Sequence, residues 1–170
     1  MTEPQPTRRP DPVAAANDEA RTLAQTLLSG TGHGALSWID PADGTPSISR
    51  VAFGLDEDGC PLVLVSGLAP HTAALRAHPD CALMVVEDTT RGDPMTHARL
   101  MLRARAEFVP QDQCAPLRAA WLARFPKAKV YIDLPDFAFV RLVPQSALLN
   151  GGFARAFRLA PSDLLAGLPG

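Results

Sequence analysis

The sequence predicts a mainly β fold, a β-barrel with α-helices packed outside it. Three observations lead there: short segments of period-two alternation recur along the chain, Asp/Gly and Pro turns separate them at short spacing, and only two stretches carry sustained helical periodicity. At 170 residues the chain fits one domain with a sizeable core. The expected division is a disordered leader over residues 1–11 and a single domain over 12–170.

The opening MTEPQPTRRPDP has two arginines but no apolar run after them, so it is not a secretory signal. Asp11 and Pro12 suit the N-cap and first position of a helix. Val13, Ala16, Ala20, Leu23, Ala24, Leu27 and Leu28 then fall on one face, and Gly30 offers a left-handed end. From His33 the period changes. GALSWID, the turn PADGTP, SISRVAFGL, the turn DEDG and CPLVLVS describe three strands of an antiparallel meander. In the second strand Val51, Phe53 and Leu55 share one face, while Ile48, Arg50 and Ala52 share the other. Arg50 therefore stands on a fairly apolar face, where its head either reaches solvent or meets an anion.

The third strand breaks at Ser66-Gly67 and feeds a helix that starts at Pro70. The free amides of His71, Thr72 and Ala73 point outward there with the positive end of the helix dipole. Ser66 and Thr72 add hydroxyls and His71 adds a ring, a group of donors that suits a phosphate; a capped surface helix without a ligand is the alternative. CALMVVE is a continuous apolar run of strand length, as expected of a strand buried on both faces. A polar loop spans 88–96. In HARLMLRARAEFV, Leu100, Leu102, Ala104, Ala106 and Phe108 form a core face, and Arg99, Met101, Arg103, Arg105 and Glu107 the other. Of these arginines Arg99, nearest the loop, is the candidate ligand group.

Pro110-Gln111-Asp112 opens a second helix, with Leu117, Trp121, Leu122 and Phe125 as its apolar face and Pro126 as its stop. PKAKVYIDLPD is a connector. FAFVRLVPQSALLN reads as a long strand in which Pro144 marks an edge or a bulge. Gly151-Gly152 permits a bend, FARAFRL a last strand, and Ser162–Leu165 a short helix.

A net charge of −2 and a pI near 6.0 give no general attraction to nucleic acid or acidic lipid. Cys60, Cys81 and Cys114 are odd in number without C-x-x-C spacing, which suggests neither a disulfide framework nor a zinc site; they read as packing residues in a reducing, cytoplasmic compartment. No apolar segment approaches the roughly 20 residues that cross a bilayer. His33, His78 and His97 have no metal-ligand spacing. Without G-x-S-x-G, a Walker loop or G-x-G-x-x-G, hydrolase, NTPase and dinucleotide-fold readings have no support. The residues single out no catalytic acid or base.

The order PSISRVAF, DEDG, LVLVSGLAPHTAAL, HPDCALMVVE, HARLMLRARAEFV, YIDLPDFAFVRL and GGFARA resembles the pyridoxamine 5′-phosphate oxidase-like family of FMN-binding split barrels, over roughly residues 20–160. The S-x-L-A-x-H-T pattern at Ser66 to Thr72 and GGF-x-x-A at Gly151 to Ala156 resemble its haem-utilisation branch more than the oxidases of vitamin B6 synthesis. The resemblance implies a six-stranded antiparallel split barrel of Greek-key type, and a homodimer with FMN at the subunit interface. By position it assigns the flavin phosphate to Arg50, Ser66, His71, Thr72 and Arg99, with Val51 offering backbone contacts to the isoalloxazine edge. His71-Thr72 stands where the B6 oxidases usually carry two strong cations, and their substrate-phosphate constellation is not recognisable near GGFARA, although Arg155 is available. The implied activity is FMN-dependent oxidoreduction of a small or planar organic substrate. The alternative is a haem or other tetrapyrrole-binding protein without turnover, with His97 or His33 as axial ligand.

Overall fold

The computed structural model describes residues 12–152 and 155–165. The expected leader over 1–11 and the N-cap at Asp11 lie outside them. Eight strands and four α-helices follow in chain order: β1 (Val13–Ala15), α1 (Asp18–Gly30), β2 (His33–Ile39), β3 (Pro46–Leu55), β4 (Pro61–Ser66), α2 (Pro70–Ala77), β5 (Asp80–Val86), β6 (Arg99–Phe108), α3 (Cys114–Arg124), β7 (Phe137–Asn150), β8 (Ala156–Leu159) and α4 (Pro161–Leu164).

The first helix starts later than its periodicity suggests. Asn17 caps it, its Oδ1 accepting from the Ala20 N–H at 2.8 Å. Residues 13–15 are drawn instead into a parallel pairing with β8, Val13 opposite Ala156. Gly30 ends α1 without a left-handed φ, because Thr31 takes the C-cap in an extended conformation.

β2, β3 and β4 form the expected meander, turning at Gly44 (φ 75°) and Gly59 (φ 81°), where a left-handed backbone favours glycine. β5 then returns beside β2, which is a Greek key. β6 pairs with β5, and β7 pairs with both β6 and β4, closing an antiparallel barrel of six strands; β8 and β1 extend one edge. Pro144 does mark a bulge: Arg103 faces Ser146 and Ala104 faces Pro144, leaving Gln145 as the extra residue.

Alternation divides each strand into an inner and an outer row. Leu36, Phe53, Val63, Val65, Leu83, Val85, Leu100, Leu102, Val140, Leu142 and Leu149 fill the interior, joined by Ala20, Ala24, Leu27 and Leu28 of α1. A second cluster lies outside the wall, where Leu117 and Trp121 of α3 cover Leu62 and Phe139. β5 departs from expectation. Leu83 and Val85 are buried, but Met84 and Val86 face out.

Candidate functional site

The outer wall opposite α3 is apolar and open. Across β3, β2, β5, β6 and β7 the register aligns Arg50, Ala35, Met84, Met101 and Leu148, and the next row carries Val86, Arg99 and Asn150. Ile48 is 73% exposed, Met84 42% and Val86 36%. These side chains, with His33, Ala35 and Arg50, line a shallow cavity of about 290 Å³. A patch of large apolar groups of this kind marks a contact surface.

Arginines with and without a carboxylate partner both occur: among the described residues Arg76, Arg91, Arg103 and Arg124 have none, and neither do two on this wall. Arg21, Arg105, Arg118, Arg141 and Arg155 each pair with a carboxylate. Arg50 has no ion-pair partner among the described residues, and Arg99 reaches only the carbonyls of Met95 (3.2 Å) and His97 (3.4 Å). Two guanidiniums on an apolar wall without carboxylates are suited to an anionic ligand. Arg155, expected to be available, is held by Glu19.

The six residues that sequence assigns to the flavin do not converge in one protomer. Arg50 and Arg99 share the outer wall three strands and one row apart, about 16 Å along the sheet at backbone level. Val51 points inward, its backbone opposite Gly34. Ser66, His71 and Thr72 do lie together, where α2 follows β4, because β3 and β4 pair only over Phe53–Leu55 and Pro61–Val63 before they part.

In this turn the hydroxyls are already used. Thr72, 3% exposed, donates its hydroxyl to the Ser66 carbonyl at 2.6 Å. The Ser66 hydroxyl donates to Asp136 Oδ2 at 2.7 Å. Asp136 also accepts the Gly67 N–H on its backbone carbonyl at 2.6 Å. His71 is tied through Nδ1 to Ser49 Oγ at 3.1 Å, and the same oxygen accepts from Trp38 Nε1 at 3.0 Å. Accepting from Trp38 leaves the Ser49 hydroxyl able either to donate to a neutral Nδ1 or to accept from a protonated one. Burial pulls the His71 pKa below its ordinary value and so favours the neutral ring.

Sequence reasoning missed Asp136, Ser49 and Trp38 as part of this cluster. Asp136 sits in what reads as a connector, and only the pairing of Ser66 with Phe137 brings it to the turn. Of the histidines considered as axial ligands, His33 lines the cavity, while His97 Nε2 bonds the Arg91 carbonyl at 2.8 Å. Burial pushes the thiols of Cys60 and Cys81 up to about 12, which suits packing rather than nucleophilic roles.

The family model described as pyridoxamine 5′-phosphate oxidase matches residues 21–150. The chain belongs to that family. Within it, 134 residues are 38% identical to a chloroplastic heme oxygenase of Arabidopsis thaliana, HOZ, covering 78% of this chain and 40% of that protein. The heme oxygenase HutZ of Vibrio cholerae is 30% identical over 135 residues, 76% of this chain and 75% of its own. A solved heme-binding protein from Mycobacterium smegmatis is 31% identical and superposes with a TM-score of 0.80, over 88% of this chain and 61% of that one. The chain thus spans less than two thirds of HOZ and of the mycobacterial protein. Relatives carrying these names fit the haem-utilisation branch of the pyridoxamine 5′-phosphate oxidase-like family, which the sequence resembles.

Proposed function

We propose that the outer wall binds haem, or a closely similar planar tetrapyrrole, enclosed between two copies of this chain. The observation that carries the reading is the apolar wall with Arg50 and Arg99 free of carboxylates. A flat macrocycle suits Ile48, Met84 and Val86, and its acidic side groups suit the two guanidiniums. His33 on the same wall is the candidate axial ligand. The names of the relatives support haem as the ligand and oxygenative cleavage as its fate.

A second copy explains β5. Its apolar run reads as a strand buried on both faces, yet one protomer covers only Leu83 and Val85. Burying a side chain such as Ile48 or Met84 contributes roughly 1.5–3 kcal/mol, which favours a homodimer across this wall. The same reading takes residues 12–170 as one domain. Free cysteines suit a cytoplasmic location, and no helix among the described residues is long and apolar enough to cross a membrane.

FMN, which the family implies, is held by its phosphate, and the Ser66–Thr72 turn does not fit one. Both hydroxyls are committed, His71 is neutral, and Asp136 brings a carboxylate to the same turn. Arg50 and Arg99 accept a phosphate as readily as a carboxylate, so FMN-dependent oxidoreduction stands as the second reading, with the phosphate at the arginines.

The test is a titration with haemin beside FMN and riboflavin, with sedimentation of the same samples. A saturable Soret shift is expected, together with a dimer that Met84→Glu dissociates. Arg50→Ala and Arg99→Ala each remove charge-assisted hydrogen bonds worth about 1.5–3 kcal/mol, so haemin affinity should fall about tenfold to a hundredfold. Decay of the Soret band on adding a reductant in air, and its persistence without oxygen, separates turnover from storage. A monomer that binds no haemin refutes the reading.

A further inference from the structure

We infer that Asp136 is an internal anion that occupies the turn after β4 and selects against ligands that would place a phosphate there. The inference rests on the turn and the adjoining wall being the ligand site, but not on haem being the ligand.

The geometry is specific. Asp136 immediately precedes β7, and the pairing of Ser66 with Phe137 fixes it against the turn. Its backbone is pressed on the chain at Gly67, where an added Cβ would come within 3.1 Å of the Asp136 carbonyl oxygen and 3.4 Å of its Cβ. The Gly67 N–H is satisfied by that carbonyl, and the Ser66 hydroxyl by the carboxylate. Both donors that open the turn are therefore taken by one residue.

Three further groups confirm the sign of the site. Thr72 has turned its hydroxyl back to the Ser66 carbonyl, His71 carries no charge to offset an incoming anion, and α2 has no acidic or cationic residue in its first turn other than that histidine. A phosphate entering here meets a like charge, and the Gly67 N–H and the Ser66 and Thr72 hydroxyls are already bonded. Rejection of an unwanted partner by a resident like charge is a common route to specificity. Arg50 and Arg99 have no ion-pair partner among the described residues, so the acidic groups of a ligand on the outer wall find both guanidiniums uncommitted to a carboxylate.

FMN and riboflavin differ only in the phosphate, which makes them the probes. The native chain should bind FMN no more tightly than riboflavin. Asp136→Asn keeps an acceptor for Ser66 and removes the charge; it should raise FMN affinity about tenfold and leave riboflavin and haemin unchanged. Asp136→Ser supplies the same test if the amide variant does not fold, and the flavin ratio of Arg50→Ala and Arg99→Ala, in which the outer wall has lost a guanidinium, supplies a test that leaves Asp136 in place. FMN binding to a variant but not to the native chain supports the inference. A native preference for FMN of tenfold or more that persists in the Arg50→Ala and Arg99→Ala variants overturns it, as does an equal change for both flavins or no FMN binding to a folded variant. Haemin, measured in parallel, judges the haem reading separately: a native chain that ignores haemin sinks that reading and leaves the flavin ratio to decide the role of Asp136.

Discussion

Gly34 and Gly30 receive the same chemical change with opposite results when each is replaced by alanine. A Cβ at Gly34 would lie 2.8 Å from the Met84 carbonyl oxygen and 2.9 Å from Leu83 Cδ1. A backbone oxygen cannot rotate away, so β2 and β5 must separate. Overpacking of this kind costs about 2–3 kcal/mol. Restricting the unfolded chain returns about 0.4–1 kcal/mol, so Gly34→Ala should destabilise the fold by about 1–2 kcal/mol. At Gly30 nothing lies within 4 Å and φ is not positive, so only the favourable term operates. Gly30→Ala should therefore stabilise by about 0.4–1 kcal/mol. The assay is equilibrium urea unfolding with comparison of m-values, supported by thermal melts, in which 1 kcal/mol corresponds to roughly 2–4 °C for a chain of this size. Because Ala35 and Met84 ride on the separated strands, Gly34→Ala should also weaken haemin binding, whereas Gly30→Ala should not. Equal stability of Gly34→Ala and the native chain at unchanged m would refute the close-approach argument.

Two other perturbations probe the frame around the site. Arg141 Nε bonds the Asp56 carboxylate at 2.8 Å, and that carboxylate is only 2% exposed, with the Asp58 and Cys60 amides as its other donors. Arg141→Met should cost about 3 kcal/mol in urea unfolding, and adding Asp56→Asn should recover part of it, since the loss comes from an unpaired buried charge. His71, with its pKa pulled below 6.5 by burial, takes up a proton less readily when folded than when unfolded. Its contribution to stability is therefore complete above pH 6.5 and declines as pH falls below it, so His71→Gln should flatten the acid side of the stability profile.

Much of the barrel was legible because alternation is a local property. Leu100, Leu102, Ala104 and Ala106 announce the inner row of β6, and Pro144 announces its partner's bulge without any knowledge of the pairing. What escaped were features decided at long range. Val13 looks helical in its own neighbourhood and becomes strand only because Ala156 lies beside it. Met84 looks buried because its segment is apolar throughout, yet what one protomer covers depends on the direction of the pleat. The turn at Ser66 is the clearest case. Its hydroxyls and helix start describe an anion site in sequence, and only the fold shows that Asp136, some distance along the chain, brings a carboxylate that accepts the Ser66 hydroxyl.

β7 has a consequence for how this chain comes into being. It is the shared partner of β4, β6 and β8, so the edges of β4 and β6 have no mate until residues 137–150 arrive. A growing chain that has completed everything through α3 is an open, strongly apolar sheet with two unsatisfied borders, a form prone to join its neighbours edge to edge. Synthesis interrupted before Phe137 should therefore yield not a smaller domain but a sticky one, and protection of the newborn protein is needed most in the interval between the emergence of β6 and that of β7.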